Sequence, residues 1–317
     1  MRNAAVSTIE KLCRKNKDIF VLTGDLGFRL FDSIRSRIGR RFINMGIAET
    51  NMIGVASGMA LSGKMVFCYS IIPFLIMRCF EHIRVDICNH NVNVRLMGVG
   101  AGLVYGLEGL THHATEDVAL MRTLPNMTIV APGDPYESES SIKASIKHNG
   151  PLYIRLGKAG EPAVHKASPR FDIGKGIVVI EKGTDVCMIA SGTLLYNAKV
   201  AAEKLIDRGI GVRLISMHTI KPIDKQLIVK CSKKFGSIVT IEEHSIIGGL
   251  GDAVGDVLLE KQYTGVFRKI GLPDAFNQYV GRNQYLLQQY NLDSAGIETT
   301  VINLVHGKRK SRTVKRG

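Results

Sequence analysis

No tryptophan occurs in the 317 residues, and acids are the minority charge: 28 Asp and Glu stand against 42 Lys and Arg, a formal net charge of +14. Part of the basic excess lies in the C-terminal HGKRKSRTVKRG and more along Arg29 to Arg41. Neither run is interleaved with aromatics or accompanied by a nucleic-acid motif, so no nucleic-acid partner is expected. A solvated surface attracting phosphorylated or acidic small molecules, or an acidic partner subunit, is expected instead. Cysteine is sparse and lacks pattern: Cys13, Cys68, Cys79, Cys88, Cys187 and Cys231 form no CxxC pair and no metal-ligand spacing. That excludes a disulfide framework or a zinc module and suits free thiols in a reducing, cytoplasmic setting. Long apolar runs are missing too. The stretch from Val66 to Met77 is too short to span a bilayer, and charges interrupt every apolar stretch of MRNAAVSTIEKLCRKNKDIFVLTG. Neither a membrane segment nor a signal peptide is expected.

What is present describes a globular α/β protein, 45% hydrophobic and 22% charged, with length enough for two cores. Short apolar strands are read at IFVLTGD, RFINMG, KMVFCY, VRLMGVG, MTIVAPGD and LYIRLG. Helical spacing fills the gaps, near Ser7 to Cys13, Thr50 to Leu61, Phe74 to Cys88, Thr115 to Leu124 and Pro135 to His148. A second set follows: DVCMIAS, a helix over Ala198 to Arg208, GVRLISM, a helix over Asp224 to Lys234, SIVTIEE, and a helix after Gly248-Gly249. Such alternation predicts two doubly wound domains built on mostly parallel sheets. The expected boundaries are a first domain over 1–160, a proline-bearing linker over 161–172, a smaller domain over 173–306 and a flexible basic tail over 307–317. Ligands in open sheets gather at the carboxyl ends of the strands.

One candidate residue sits at such an end. In RFINMGIAETN, an apolar strand turns at Gly46 into a helix rich in small residues, with Glu49 in its first turn. Two readings are open: a glutamate that complements the helix dipole, or a carboxylate in apolar surroundings that shares a proton with a ring nitrogen.

Three stretches of the first half, GIAETNMIGVASGMALSGK, EGLTHHATEDVALMRTLPNMTIVAPGDPYE and GPLYIRLGK, resemble the pyrimidine-binding domain of the transketolase family. IEEHSIIGGLGDAV and IGLPDAFNQYVG are similar to that family's C-terminal domain, and the matches follow the family's order along almost the whole chain. The resemblance implies thiamine diphosphate as cofactor, with Glu49 at N1′ of its aminopyrimidine as the activating acid. It also implies an aromatic platform under that ring, in YSIIPFLIMRCFEHIR. Ile72 stands where transketolases commonly carry the stacking phenylalanine, with Phe74 two residues on, so both are cofactor-contact candidates; Tyr69 is a further possibility or a core residue.

In the family the first histidine of a GPTH motif reaches substrate oxygens, which here designates His112 as catalytic and substrate-binding. Adjacent His112 and His113 point apart, so no metal site is expected between them. Glu108 replaces a family aspartate near a substrate hydroxyl, and Gly100 replaces a further family histidine, which argues for altered sugar recognition. Lys158 aligns with an arginine that holds substrate phosphate, and Arg155 lies three residues earlier; a lysine keeps the charge but loses the bidentate fork. Asp25 and Arg29, in GDLGFR, are further candidates, and His244 is expected to be structural or to support a neighbouring site residue.

Diphosphate binding in the family needs a GDG motif and a downstream asparagine that hold a divalent cation. The chain has no GDG; Gly24-Asp25-Leu26-Gly27 lies in the wrong domain. It therefore looks like the C-terminal half of a split transketolase, needing an N-terminal subunit that carries Mg2+ and the diphosphate in an α2β2 assembly. The implied activity is transfer of a two-carbon ketol unit from a ketose phosphate to an aldehyde. The alternatives are 2-oxo acid decarboxylation, as in deoxyxylulose-phosphate synthase or the beta subunit of pyruvate dehydrogenase, and a non-catalytic partner subunit.

Overall fold

Strands β1 (Ile19–Thr23), β2 (Phe42–Asn44), β3 (Met65–Ile71), β4 (Val94–Val99), β5 (Thr128–Val130) and β6 (Leu152–Leu156) form from the six apolar segments of the first half. They pair in parallel in the order β5-β6-β4-β3-β1-β2. Strands β3, β4 and β6 are buried along almost their whole length, as a sheet with helices on both faces requires. In the second half, β7 (Ile177–Lys182), β8 (Val186–Ala190), β9 (Val212–Ser216), β10 (Thr219–Lys221), β11 (Ser237–Ser245) and β12 (Val266–Leu272) follow. Five of these make a second sheet, β12-β11-β8-β9-β7, parallel except where β7 meets β9. The structure, a computed structural model, describes the backbone of residues 1–314 and the side chains of residues 1–306, so the basic tail expected over 307–317 lies outside the described side chains.

Sequence periodicity missed β10, and it ties the halves together. The chain leaves β9 at Ser216 and, two residues later, runs antiparallel to β5, making the first sheet seven-stranded. Pairing there covers an otherwise open sheet edge. One buried cluster is continuous through both halves, from Leu22 and Ile53 through Met121 and Ile129 to Ile215, Ile228 and Val254. Strands β7 and β12 and the helices Asp32–Ile38, Asn283–Gln289 and Ser294–Val314 were also not anticipated.

The helix expected over Phe74 to Cys88 is not continuous. It divides into a π-helical turn at Pro73–Met77, one α-turn at Phe80–His82 and a second π-helical stretch at Ile83–Asn89. Widened turns of this kind re-aim side chains and cluster at functional sites. This one follows β3 directly and carries Phe74 and Arg78.

Candidate active site

Glu49 opens the helix Glu49–Leu61. Gly46, at φ +73°, makes the turn out of β2, and the Asn44 side chain fixes it, accepting from the N–H groups of Gly46 and Asp25 at 3.0 Å each and donating to Asp25 Oδ1 at 2.7 Å. The carboxylate is thereby turned inward and is 1% exposed. Its surroundings are more polar than the sequence suggested. Ser70, at the end of β3, donates its hydroxyl to Oε1 at 3.0 Å, and Arg78 donates from Nη1 to Oε2 at 2.9 Å. Gly24, at the end of β1, allows this approach, because a Cβ there would lie 3.1 Å from Oε1. The carboxyl ends of β1, β2 and β3 thus converge on one acid.

From Glu49 a line of side chains runs outward. The Arg78 guanidinium lies 4.7 Å from the Phe74 ring centroid. Phe74 meets His112 edge-on at 5.1 Å, and His112 meets Tyr105 at 5.9 Å. Lys158 places its ammonium 4.8 Å from the centre of the Tyr105 ring. Glu49, Phe74, His112 and Lys158, separated by more than a hundred residues in sequence, therefore border one surface. Thr111 Oγ1 engages His112 Nδ1 at 2.9 Å. Tyr105 was not anticipated, and it accounts for Gly100: that glycine sits at φ +92°, and a Cβ on it would run into the Tyr105 ring. The ring fills the space that a side chain at position 100 would occupy. Arg78 and Ser70 were also missed, although Arg78 is the sole charge in YSIIPFLIMRCF.

Other candidates fall elsewhere. Ile72 is fully buried, with its side chain against Gly98, so it presents no face to a ring. Tyr69 is a core residue, packed edge-on against Phe31 at 4.9 Å. Glu108 is exposed on the loop before His112. Asp25 is occupied with Asn44.

Arg155 is the clearest correction. Its guanidinium is buried and holds both oxygens of Asp117, at 2.8 and 3.1 Å. It also donates to the carbonyls of Ala114 at 2.8 Å and Glu243 at 3.0 Å, bridging the two halves of the chain. Burial pushes the Asp117 carboxyl up, but the charge and hydrogen bonds of Arg155 outweigh it and hold the group below its ordinary value. Buried and spent through Nε and Nη2 on these contacts, Arg155 serves as a brace between the two halves. His244 is buried, shares Nδ1 with the Ser245 carbonyl at 2.7 Å and accepts the Ala119 N–H on Nε2 at 3.3 Å. Burial lowers its pKa, in keeping with a neutral ring.

Exposed apolar side chains rim the same end of the sheet. Phe28 (82% exposed) follows β1, Ile47 (81%) follows β2, and Leu107 and Leu110 follow β4.

The transketolase pyrimidine-binding domain matches residues 1–160 and the transketolase C-terminal domain matches residues 174–297. The chain is 35% identical over 306 residues to an apulose-4-phosphate transketolase subunit of Phocaeicola vulgatus, covering 96% of this chain and 97% of that one. It is 33% identical to the 6-deoxy-6-sulfo-D-fructose transketolase subunit SqwH of a Clostridium species, covering 94% and 92%. Among solved structures, a split gene transketolase, in the form of an inactive beta4 tetramer, superposes with a TM-score of 0.86 at 37% identity, covering 96% of this chain and 97% of that one. With both domains matched in order and the fold shared over nearly its whole length, the chain belongs to the transketolase family.

Proposed function

We propose that this chain is the C-terminal subunit of a two-component, thiamine diphosphate-dependent transketolase, transferring a two-carbon ketol unit from a ketose phosphate to an aldehyde. The observation that carries the reading is Glu49: a buried carboxylate at a helix start, backed by Ser70, with Phe74 and His112 beside it. These residues fit the pyrimidine end of the cofactor, which needs a carboxylate facing a ring nitrogen and an aromatic or apolar wall. Bound there, thiamine diphosphate supplies a nucleophilic carbon and an electron sink. Glu49 holds the proton at the ring nitrogen, and Ser70 keeps its carboxylate aimed. His112, with Nδ1 engaged by Thr111, offers Nε2 to a substrate oxygen. Lys158, exposed at the end of the line, is a point charge for an anionic substrate tail, and Glu108, exposed on the loop before His112, is a partner for a hydroxyl.

The diphosphate and Mg2+ belong in this reading to a separate N-terminal subunit carrying the GDG motif and asparagine. The exposed apolar side chains of Phe28, Ile47, Leu107 and Leu110 suit a subunit that closes over the site. The assembly is α2β2 and its setting cytoplasmic. The relatives are named for an apulose phosphate and a sulfofructose; both carry an anionic group that Lys158 matches in charge. Reconstitution with the N-terminal subunit, followed by assays with a ketose phosphate and with pyruvate, tests the reading: ketose cleavage supports it, and carbon dioxide release from pyruvate without ketose cleavage overturns it.

A further inference from the structure

The Glu49 carboxylate is closed on two sides by the protein's interior and on the third by a side chain that reaches water. Gly24 and the Ser70 hydroxyl back Oε1, while Oε2 takes the guanidinium of Arg78 at 2.9 Å. Glu49 is 1% exposed and Arg78 49%. A ring nitrogen approaching Oε2 from solvent therefore meets Arg78 first. With about half of its side chain open to solvent, the guanidinium has room to leave.

We propose that Arg78 is a gate on Glu49: in the free subunit it occupies the acid, and it must swing off toward solvent when the cofactor's pyrimidine takes its place. The inference rests on the thiamine diphosphate reading and adds to it a competing contact within the chain. The sign of its effect is diagnostic. Removing a cation near a polyanionic cofactor weakens binding on charge alone, whereas removing a competitor for Glu49 strengthens it. A charge-assisted hydrogen bond with one half-exposed partner is worth about a factor of ten in an equilibrium constant.

The test is calorimetric titration of the two-subunit complex with thiamine diphosphate and Mg2+, for the wild type, Arg78→Met, Arg78→Lys, Glu49→Gln and the double variant. The gate requires Arg78→Met to bind about tenfold more tightly, Arg78→Lys to lie between it and the wild type, and the gain to vanish in the Glu49→Gln background. Unchanged or weaker binding by Arg78→Met overturns the gate while leaving the cofactor reading intact, and so does a gain that persists without Glu49. If neither the wild type nor Arg78→Met binds thiamine diphosphate, the cofactor reading itself falls and the gate with it.

Discussion

Replacing Asp117 with asparagine separates a structural Arg155 from a substrate-binding one. Arg155 and Asp117 are both buried, joined by two hydrogen bonds, and the same guanidinium reaches the Glu243 carbonyl in the other half of the chain. Removing one partner of such a pair leaves the other charge without compensation and costs about 3–5 kcal/mol. With an unfolding entropy of about 2.1 cal/mol/K per residue and 317 residues, that corresponds to a fall in Tm of about 5–8 °C. Differential scanning calorimetry reads it directly. The Asp117 pKa is depressed in the fold, so its contribution is present above the ordinary aspartate range and lost as pH falls through the folded value. The gap between wild type and variant should therefore narrow at acid pH. Replacing the pair with Asp117→Leu and Arg155→Met together should recover only part of the loss, since it leaves no buried charge but strips the Ala114 and Glu243 carbonyls of their donor. An unchanged Tm for Asp117→Asn, coupled with a raised KM for an anionic sugar in the reconstituted enzyme, would refute the structural assignment.

Glu49→Gln should lower kcat of the reconstituted enzyme by about 10²- to 10⁴-fold while circular dichroism stays unchanged; near-normal turnover would remove the central assignment. Gly100→Ala should cost about 1–3 kcal/mol in denaturant unfolding, because its φ of +92° and the Tyr105 ring both oppose a Cβ. Burial raises the Glu242 carboxyl to about 7, although the N–H groups of Leu250 and Gly251 hydrogen-bond to it. Its contribution to stability is thus complete below the ordinary glutamate range and lost as pH rises to about 7. Glu242→Gln should remove that decline, a difference measured by urea midpoints at about pH 5 and about pH 8. All six cysteines are buried and free, so a thiol reagent should label none of them rapidly in the native protein and all six after denaturation.

The parallel sheets and most of their helices were legible because they rest on local signals: short apolar runs at β1 to β6, and turn residues such as Gly46 between strand and helix. β10 was not, since three residues between His218 and Pro222 carry no period, and only pairing with β5 makes them a strand. The continuous helix expected after β3 failed for a related reason. Its apolar spacing was real, but the backbone widened into π-helical turns to fit the core.

By itself the sequence determined which residues could do chemistry and where each lies along its strand or helix, because that depends on neighbours a few positions away. Tertiary structure alone decided what each acid and cation faces. It turned Arg155 inward onto Asp117, brought Arg78 to Glu49 and filled the space above Gly100 with Tyr105. The physical reason is that a side chain's partner is set by the packing of segments distant in sequence, and a charge taken out of water must find its counterpart there.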